Sequence, residues 1–130
     1  MASELRVNTL KDASGNNSIG MSYVAEGSSK MWINFNGTGT IAARDSFNFT
    51  SLTDNGTGDY SVTIADNMSN ANYAHTGSSG GQNSTSNGAV YAYDQQTART
   101  TTLFRVLMFD VNGTVNDTPN IDISVHGDLA

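Results

Sequence analysis

The sequence predicts an all-β protein, an antiparallel β-sandwich of about six to seven strands. Thr, Val, Ile, Phe and Tyr dominate its apolar segments, and these residue types favour strands. Apolar and polar residues alternate along the segments with a period of two, which is typical of half-buried strands. Asn-Gly turns divide the segments at short spacing, as in sandwiches. Glu and Lys are absent after Lys30, so no helix is expected.

We predict that residues 1–29 form an extended arm and that residues 30–130 form the β-sandwich head. Leu5, Val7 and Ile19 follow an extended amphipathic pattern around a turn at 12–17. Residues 20–30 are small and polar, and resemble a connector. This part of the chain lacks the apolar side chains that a closed core requires.

The head begins with a strand at 31–36 that carries Met31, Ile33 and Phe35 on its buried face. The pair Asn36-Gly37 ends this strand, because Asn and Gly favour turns. A second extended segment follows at 40–45.

A third strand is predicted over residues 46–53, with Phe47 and Phe49 on one face. The segment 54–59 is a hairpin turn, since its Asn and Gly residues accept the positive φ angles of such turns. The returning strand at 60–64 is expected to direct its apolar residues into the core.

The second half of the head alternates polar loops with strands. The predicted order is a loop at 66–72, a short strand at 73–74, a flexible loop at 76–88, and strands at 89–94, 101–111 and 120–126. The strand at 101–111 carries apolar residues on both faces, which indicates that both faces are covered.

Composition excludes several functional classes. The chain has 130 residues and a net charge of −6, and its six basic residues are scattered, which argues against binding nucleic acid or anionic membranes. It has no Cys, no apolar segment resembling a signal peptide, and no run long enough to span a membrane. We expect synthesis in a cytoplasm without secretion. Asn, Ser and Thr, at 15 residues each, supply a surface of neutral polar groups.

No constellation predicts catalysis, a cofactor or a metal. His75 and His126 are the only histidines, lie in no nucleophile or zinc motif, and are assigned surface or interface positions. The segment 54–59 superficially resembles a calcium loop, but it lacks the ligand spacing and the closing Glu. Asp residues are plentiful, yet no pattern pairs them across a cleft as glycosidases require.

A ligand-binding edge is predicted from Tyr91, Tyr93, Asp94 and Gln82. Aromatic rings stack on the C–H faces of sugars, and carboxylates and amides bind hydroxyl groups. The competing interpretation places both tyrosines in the core or in a contact between subunits.

An oligomer interface is predicted from Phe104, Arg105, Val106 and Met108 on the two-faced strand. A buried arginine needs an acidic partner, and Asp45 or Asp110 of the same or a neighbouring chain are the candidates. A surface position for Arg105 is the alternative.

Residues 3–15 are similar to the start of many phage virion proteins. Three core segments resemble a module of tail-fibre-like structural proteins of tailed bacteriophages, especially marine and cyanobacterial phages. They are Asn36-Gly-Thr-Gly-Thr40, Arg44-Asp-Ser-Phe-Asn48 and Leu52-Thr-Asp-Asn-Gly-Thr-Gly-Asp-Tyr60, preceded by the strand at 32–35. The resemblance implies a non-enzymatic virion protein, a homotrimer whose sandwich looks like that of H-type lectins. On this basis we expect the arm to attach the protein to other virion proteins or to bundle the three chains. We expect the head to contact host surface glycans through the loop at 76–88 and the strand at 91–94.

One sequence feature leaves other functions open. The chain lacks a fibrous shaft, so a distal tip, a short appendage or a capsid-decorating (cement) protein of the phage head all fit. A polysaccharide depolymerase and a cellular lectin are further alternatives. The missing signal peptide counts against the last.

Overall fold

A computed structural model describes residues 3–80, 89–93, 98–110 and 112–130. Its elements in chain order are β1 (Thr9–Lys11), β2 (Ser18–Gly20), α1 (Met21–Gly27), β3 (Met31–Asn36), β4 (Ala42–Phe47), β5 (Phe49–Gly56), β6 (Asp59–Ile64), β7 (Ala74–Gly80), β8 (Ala89–Tyr93), β9 (Leu103–Asp110) and β10 (Asn120–His126). No helix within these ranges is long and apolar enough to cross a membrane.

The predicted antiparallel β-sandwich is confirmed. Eight strands follow one hydrogen-bonded order, β4-β3-β10-β7-β8-β9-β6-β5, and every pairing is antiparallel. β8 pairs with β9 at five positions but with β7 only at Ser79–Ala89, so it joins two layers. The first layer contains β4, β3, β10 and β7, and the second contains β9, β6 and β5.

The core lies between the two layers and follows from the period-two pattern. Every second residue of β3, β10, β6 and β9 is buried, and these twelve residues are Met31, Ile33, Phe35, Tyr60, Val62, Ile64, Phe104, Val106, Met108, Ile121, Ile123 and Val125. The rings of Phe35 and Tyr60 meet edge to face across the layers at 5.3 Å. Each such side chain contributes about 1.5–3 kcal/mol when it is fully buried.

The predicted hairpin at 54–59 is confirmed between β5 and β6. Gly56 and Gly58 adopt φ angles of 133° and 61°, which side chains other than glycine rarely accept. Gly58 also donates its backbone N–H to the carboxylate of Asp117 at 2.6 Å. A distant loop therefore holds this turn in place.

The predicted strand over 46–53 is wrong, because the chain turns at Asn48. Asn48 has a φ of 53°, the one positive φ among the described non-glycine residues. Its side chain bonds the carbonyl of Lys30 and the backbone N–H of Asp66. Phe47 consequently ends β4 and Phe49 begins β5, at opposite ends of the sheet order.

The predicted flexible loop at 76–88 is wrong for its first five residues. Residues 76–80 belong to β7, which pairs with β10 at seven positions from Asn120–Gly80 to His126–Ala74. Backbone pairing along a regular neighbour overrides the turn preference of Gly and Ser there. Residues 81–88 lie outside the described ranges.

The predicted interface set on β9 does not share one exposed face. Phe104, Val106 and Met108 are fully buried inside the chain's own core, so in this packing they cannot contact another subunit. Arg105 lies on the other face, and its guanidinium forms a bidentate ion pair with Asp59. Neither Asp45 nor Asp110, the partners expected for Arg105, forms this pair.

The N-terminal segment was predicted to be an extended arm without a helix. It contains instead a small hairpin, β1–β2, and the short helix α1. Residues 3–28 contain no fully buried side chain, and Leu5 and Tyr23 are 79% and 75% exposed. Ser29 contacts the head through hydrogen bonds to Ser124 and the Val125 carbonyl. Ser29 thus connects the N-terminal segment to β10.

Candidate functional site

The predicted ligand-binding residues fall largely outside what the structure describes. Gln82 and Asp94 lie outside the described residues. Tyr91 and Tyr93 lie on β8, where the backbone pairs them with Met108 and Val106 of β9. This set stays a prediction.

A surface depression lies instead on the outer face of the first layer. It has a volume of about 480 Å³ and crosses β3, β10 and β7, three strands far apart in sequence. Its outward side chains are Trp32, Asn34, Thr76, Ser78, Asp122 and Ser124. We call this depression the Trp32 groove.

Trp32 lines the groove, and Phe47 occupies the neighbouring position of the same sheet face. Trp32 pairs with Ser124 of β10 on one side and with Phe47 of β4 on the other. Because directly paired residues share a face, both rings lie on the outer side of the layer. Trp32 is 38% exposed and Phe47 is 55% exposed. Two water-exposed aromatic rings therefore occupy paired positions on this face.

Polar groups form the next cross-strand row of the same face, Asp45–Asn34–Asp122–Ser78. The Asn34 amide donates to Asp122 Oδ1 at 2.6 Å. The Ser78 hydroxyl lies 3.5 Å from Asp122 Oδ2. Each carboxylate oxygen keeps further lone pairs, so Asp122 can accept hydrogen bonds from a ligand.

Arg44 borders this row and donates a hydrogen bond to the Asn34 side-chain oxygen at 3.4 Å. The register between β3 and β4 shifts by one residue, which leaves Arg44 unpaired between Ala43 and Asp45 as a bulge. Its guanidinium donates to the carbonyls of Phe35 at 3.0 Å and Pro119 at 2.5 Å. The bulge thereby directs this cation toward the backbone at the end of the layer.

A second depression, of about 570 Å³, lies between the arm and the head. Its amide and ammonium groups are engaged in hydrogen bonds within the chain. The Asn48 amide bonds Lys30 and Asp66, and Lys30 Nζ donates to the Ala25 and Ser28 carbonyls. The carboxylates of Asp66 and Asp128 also line this depression.

His75 was predicted to lie at the surface or in an interface, but its side chain is only partly exposed. The imidazole is half-buried and stacks on Phe104 at 4.9 Å. Burial, aided by the charge of Arg99, lowers the pKa of His75 to about 4, so the ring is neutral at pH 7. His126 is partly exposed at the end of β10.

The ion pair between Arg105 and Asp59 connects the neighbouring strands β9 and β6. The Arg105 guanidinium bonded to Asp59 lowers the pKa of that carboxyl below its usual value. No group of three or more His, Asp or Glu side chains that could hold a metal ion occurs within them.

Sequence reasoning missed the Trp32 groove although one signal was available. A tryptophan on the polar side of an amphipathic strand is unusual, because large aromatic residues are normally buried. The partners of Trp32, at 76–78 and 122–124, become visible only once β10 is known to lie between β3 and β7.

Comparison of the chain with protein-family models, with curated proteins and with solved structures finds no match.

Proposed function

We propose that this protein is a non-enzymatic structural component of a tailed-phage particle whose head contacts glycans on the host surface. Two lines support the proposal. The segments at 32–60 resemble a tail-fibre-like module, and the head carries a groove with the chemistry of a sugar site.

The Trp32 groove is the observation that carries the proposal. A pyranose ring has an apolar C–H face, which stacks on an exposed aromatic ring such as Trp32. Its hydroxyl groups donate to carboxylates, and Asp122 stands one cross-strand row away from Trp32. These elements lie on paired strands, so their spacing is set before a ligand arrives.

The groove is shallow, so a single site is expected to bind weakly. Three copies in a homotrimer would multiply such binding through effective concentration. The arm, with exposed Leu5 and Tyr23, would bundle the chains or attach them to other virion proteins.

A glycan array followed by titration of the hits tests the proposal. Trp32→Ala should lower the affinity for a bound glycan about fivefold or more, since stacking on one aromatic ring is worth about 1 kcal/mol. Tyr23→Ala removes an exposed ring from α1, outside the groove, and should leave the affinity unchanged. Equal losses in both variants, or no hit on the array, would contradict the proposal.

Capsid decoration is the competing function, since an arm with exposed apolar side chains suits attachment to a shell equally well. Gold-tagged antibody on intact particles separates the two. Label on tails or fibres supports host recognition, whereas label spread over the phage head supports decoration.

A further inference from the structure

We propose that the Trp32 groove is selective for neutral glycans and rejects sugars that carry carboxylate, sulfate or phosphate groups. This inference rests on the proposed glycan contact and adds the chemical class of the ligand. It follows from the placement of two carboxylates and one arginine on the outer face of the first layer.

The two carboxylates stand on either side of one amide. Asn34 of β3 pairs with Asp45 of β4 and with Asp122 of β10. Directly paired side chains on one face begin about 5 Å apart, so a sugar stacked on Trp32 lies within reach of both carboxylates. An anionic substituent there meets one or two like charges.

Neither carboxylate is neutralised by a bonded cation. Within the described ranges the ion pairs are Glu4–Arg6 and Asp59–Arg105, and neither Asp45 nor Asp122 takes part in one. Arg44 is the nearest arginine in sequence, and its hydrogen bonds go to the carbonyls of Phe35 and Pro119 and to the Asn34 side-chain oxygen. All three acceptors are neutral.

Hydrogen bonding discriminates in the same direction as charge. An ionised carboxylate only accepts hydrogen bonds, so Asp45 and Asp122 require donors from the ligand. Sugar hydroxyl groups supply donors, whereas sulfate and carboxylate substituents supply acceptors alone. An anionic substituent would therefore place its acceptor oxygens against the carboxylate oxygens of Asp45 or Asp122, and no hydrogen bond could form between them. Binding sites exclude unsuitable ligands by such unpaired contacts.

The charge of the whole head reinforces the local effect. All nine acidic residues after Lys30 are aspartates, and three arginines oppose them, so the entire net charge of −6 belongs to residues 31–130. Residues 1–30 contribute three acidic and three basic side chains and are neutral. The field of the head repels anionic ligands before contact.

The test compares matched neutral and sulfated forms of one oligosaccharide, titrated into the full chain by calorimetry or NMR. The wild type should bind the neutral form at least about tenfold more tightly. Asp45→Asn/Asp122→Asn removes two charges with little change of shape, and should reduce this preference about tenfold or more. Glu26→Gln/Asp128→Asn removes two charges outside the groove and should keep the wild-type preference.

Each outcome bears on a different claim. Equal or tighter wild-type binding of the sulfated form overturns the charge selectivity while glycan binding stands. Equal relaxation in the two double variants overturns the local origin of the selectivity. Absence of binding to any glycan, neutral or anionic, overturns the proposed function together with this inference. Circular dichroism and thermal melting confirm that each variant is folded.

Discussion

The hydroxyl oxygen of Tyr60 lies 2.6 Å from the carbonyl oxygen of Gly37, which links β6 of the second layer to the end of β3 in the first. Asp117 Oδ1 lies 3.0 Å from the same hydroxyl. Burial, together with this contact to Asp117, raises the pKa of Tyr60, which keeps the phenol protonated as a donor. The loop before β10 thus closes one end of the sandwich over a buried tyrosine.

Gly37→Ala should destabilise the protein by about 2–4 kcal/mol, as expected for overpacking at a rigid site. An added Cβ would stand 2.6 Å from the Tyr60 hydroxyl and 2.8 Å from the Thr118 carbonyl. Urea unfolding measures the change. Gly27→Ala is the control, since a Cβ at Gly27 meets nothing within 4 Å. A Gly37→Ala variant as stable as the wild type would contradict the tight closure.

Asp59→Asn should lower the free energy of unfolding at pH 7 by about 1–2 kcal/mol, because Arg105 keeps its charge but loses its anionic partner. The pKa of Asp59 is lowered in the fold, so the stabilisation exists above its unfolded value of 3.8 and disappears as pH falls through the folded value. The difference between wild type and variant should therefore narrow below about pH 3.8.

The control for this pair is Asp128→Asn, which changes an exposed carboxylate near the C-terminus. Its effect should stay within about 0.5 kcal/mol at every pH. If the difference in free energy of unfolding between Asp59→Asn and wild type stays constant down to pH 2, the ion pair contributes nothing to stability.

His75 should make the protein less stable as pH falls from about 6.5 to about 4. Its pKa is lowered to about 4 in the fold, whereas the unfolded chain has the ordinary value of 6.5. The unfolded state therefore binds more protons in this window, and stability, complete above pH 6.5, is progressively lost. The loss should reach on the order of 2 kcal/mol after allowance for the partial exposure of the ring.

His75→Phe keeps an aromatic ring against Phe104 and removes the titration. Thermal melting of both proteins from pH 7.5 to pH 4 measures the effect. The wild-type midpoint should fall relative to that of the variant, and parallel curves would contradict the burial of a neutral imidazole.

Removal of residues 1–28 should leave a folded head, because no side chain of residues 3–28 is fully buried. Ser29, which bonds Ser124 and Val125, is retained. We expect an unchanged β-type circular dichroism spectrum and a melting midpoint within about 5 °C of the full chain. A truncated chain that fails to fold would show that the arm belongs to the core.

Features that depend on neighbouring residues could be predicted from the amino-acid sequence. The period-two pattern predicted the strand Met31–Asn36 and its buried face, and the Asn and Gly residues of 54–59 predicted the hairpin between β5 and β6. Turn chemistry and strand alternation act over a few residues, so the chain displays them directly. The sandwich class follows from several such segments.

Features that depend on distant residues could not be predicted in this way, because they arise from the three-dimensional packing of the strands. Ser78 and its neighbours form a strand because β10 pairs with them, and Asn48 ends a strand because Lys30 and Asp66 bond its amide. The partner of Arg105 is Asp59 because β6 and β9 are adjacent. The Trp32 groove likewise arises where β10 inserts between β3 and β7, since strand order is set by the packing of the whole core and not by local pattern.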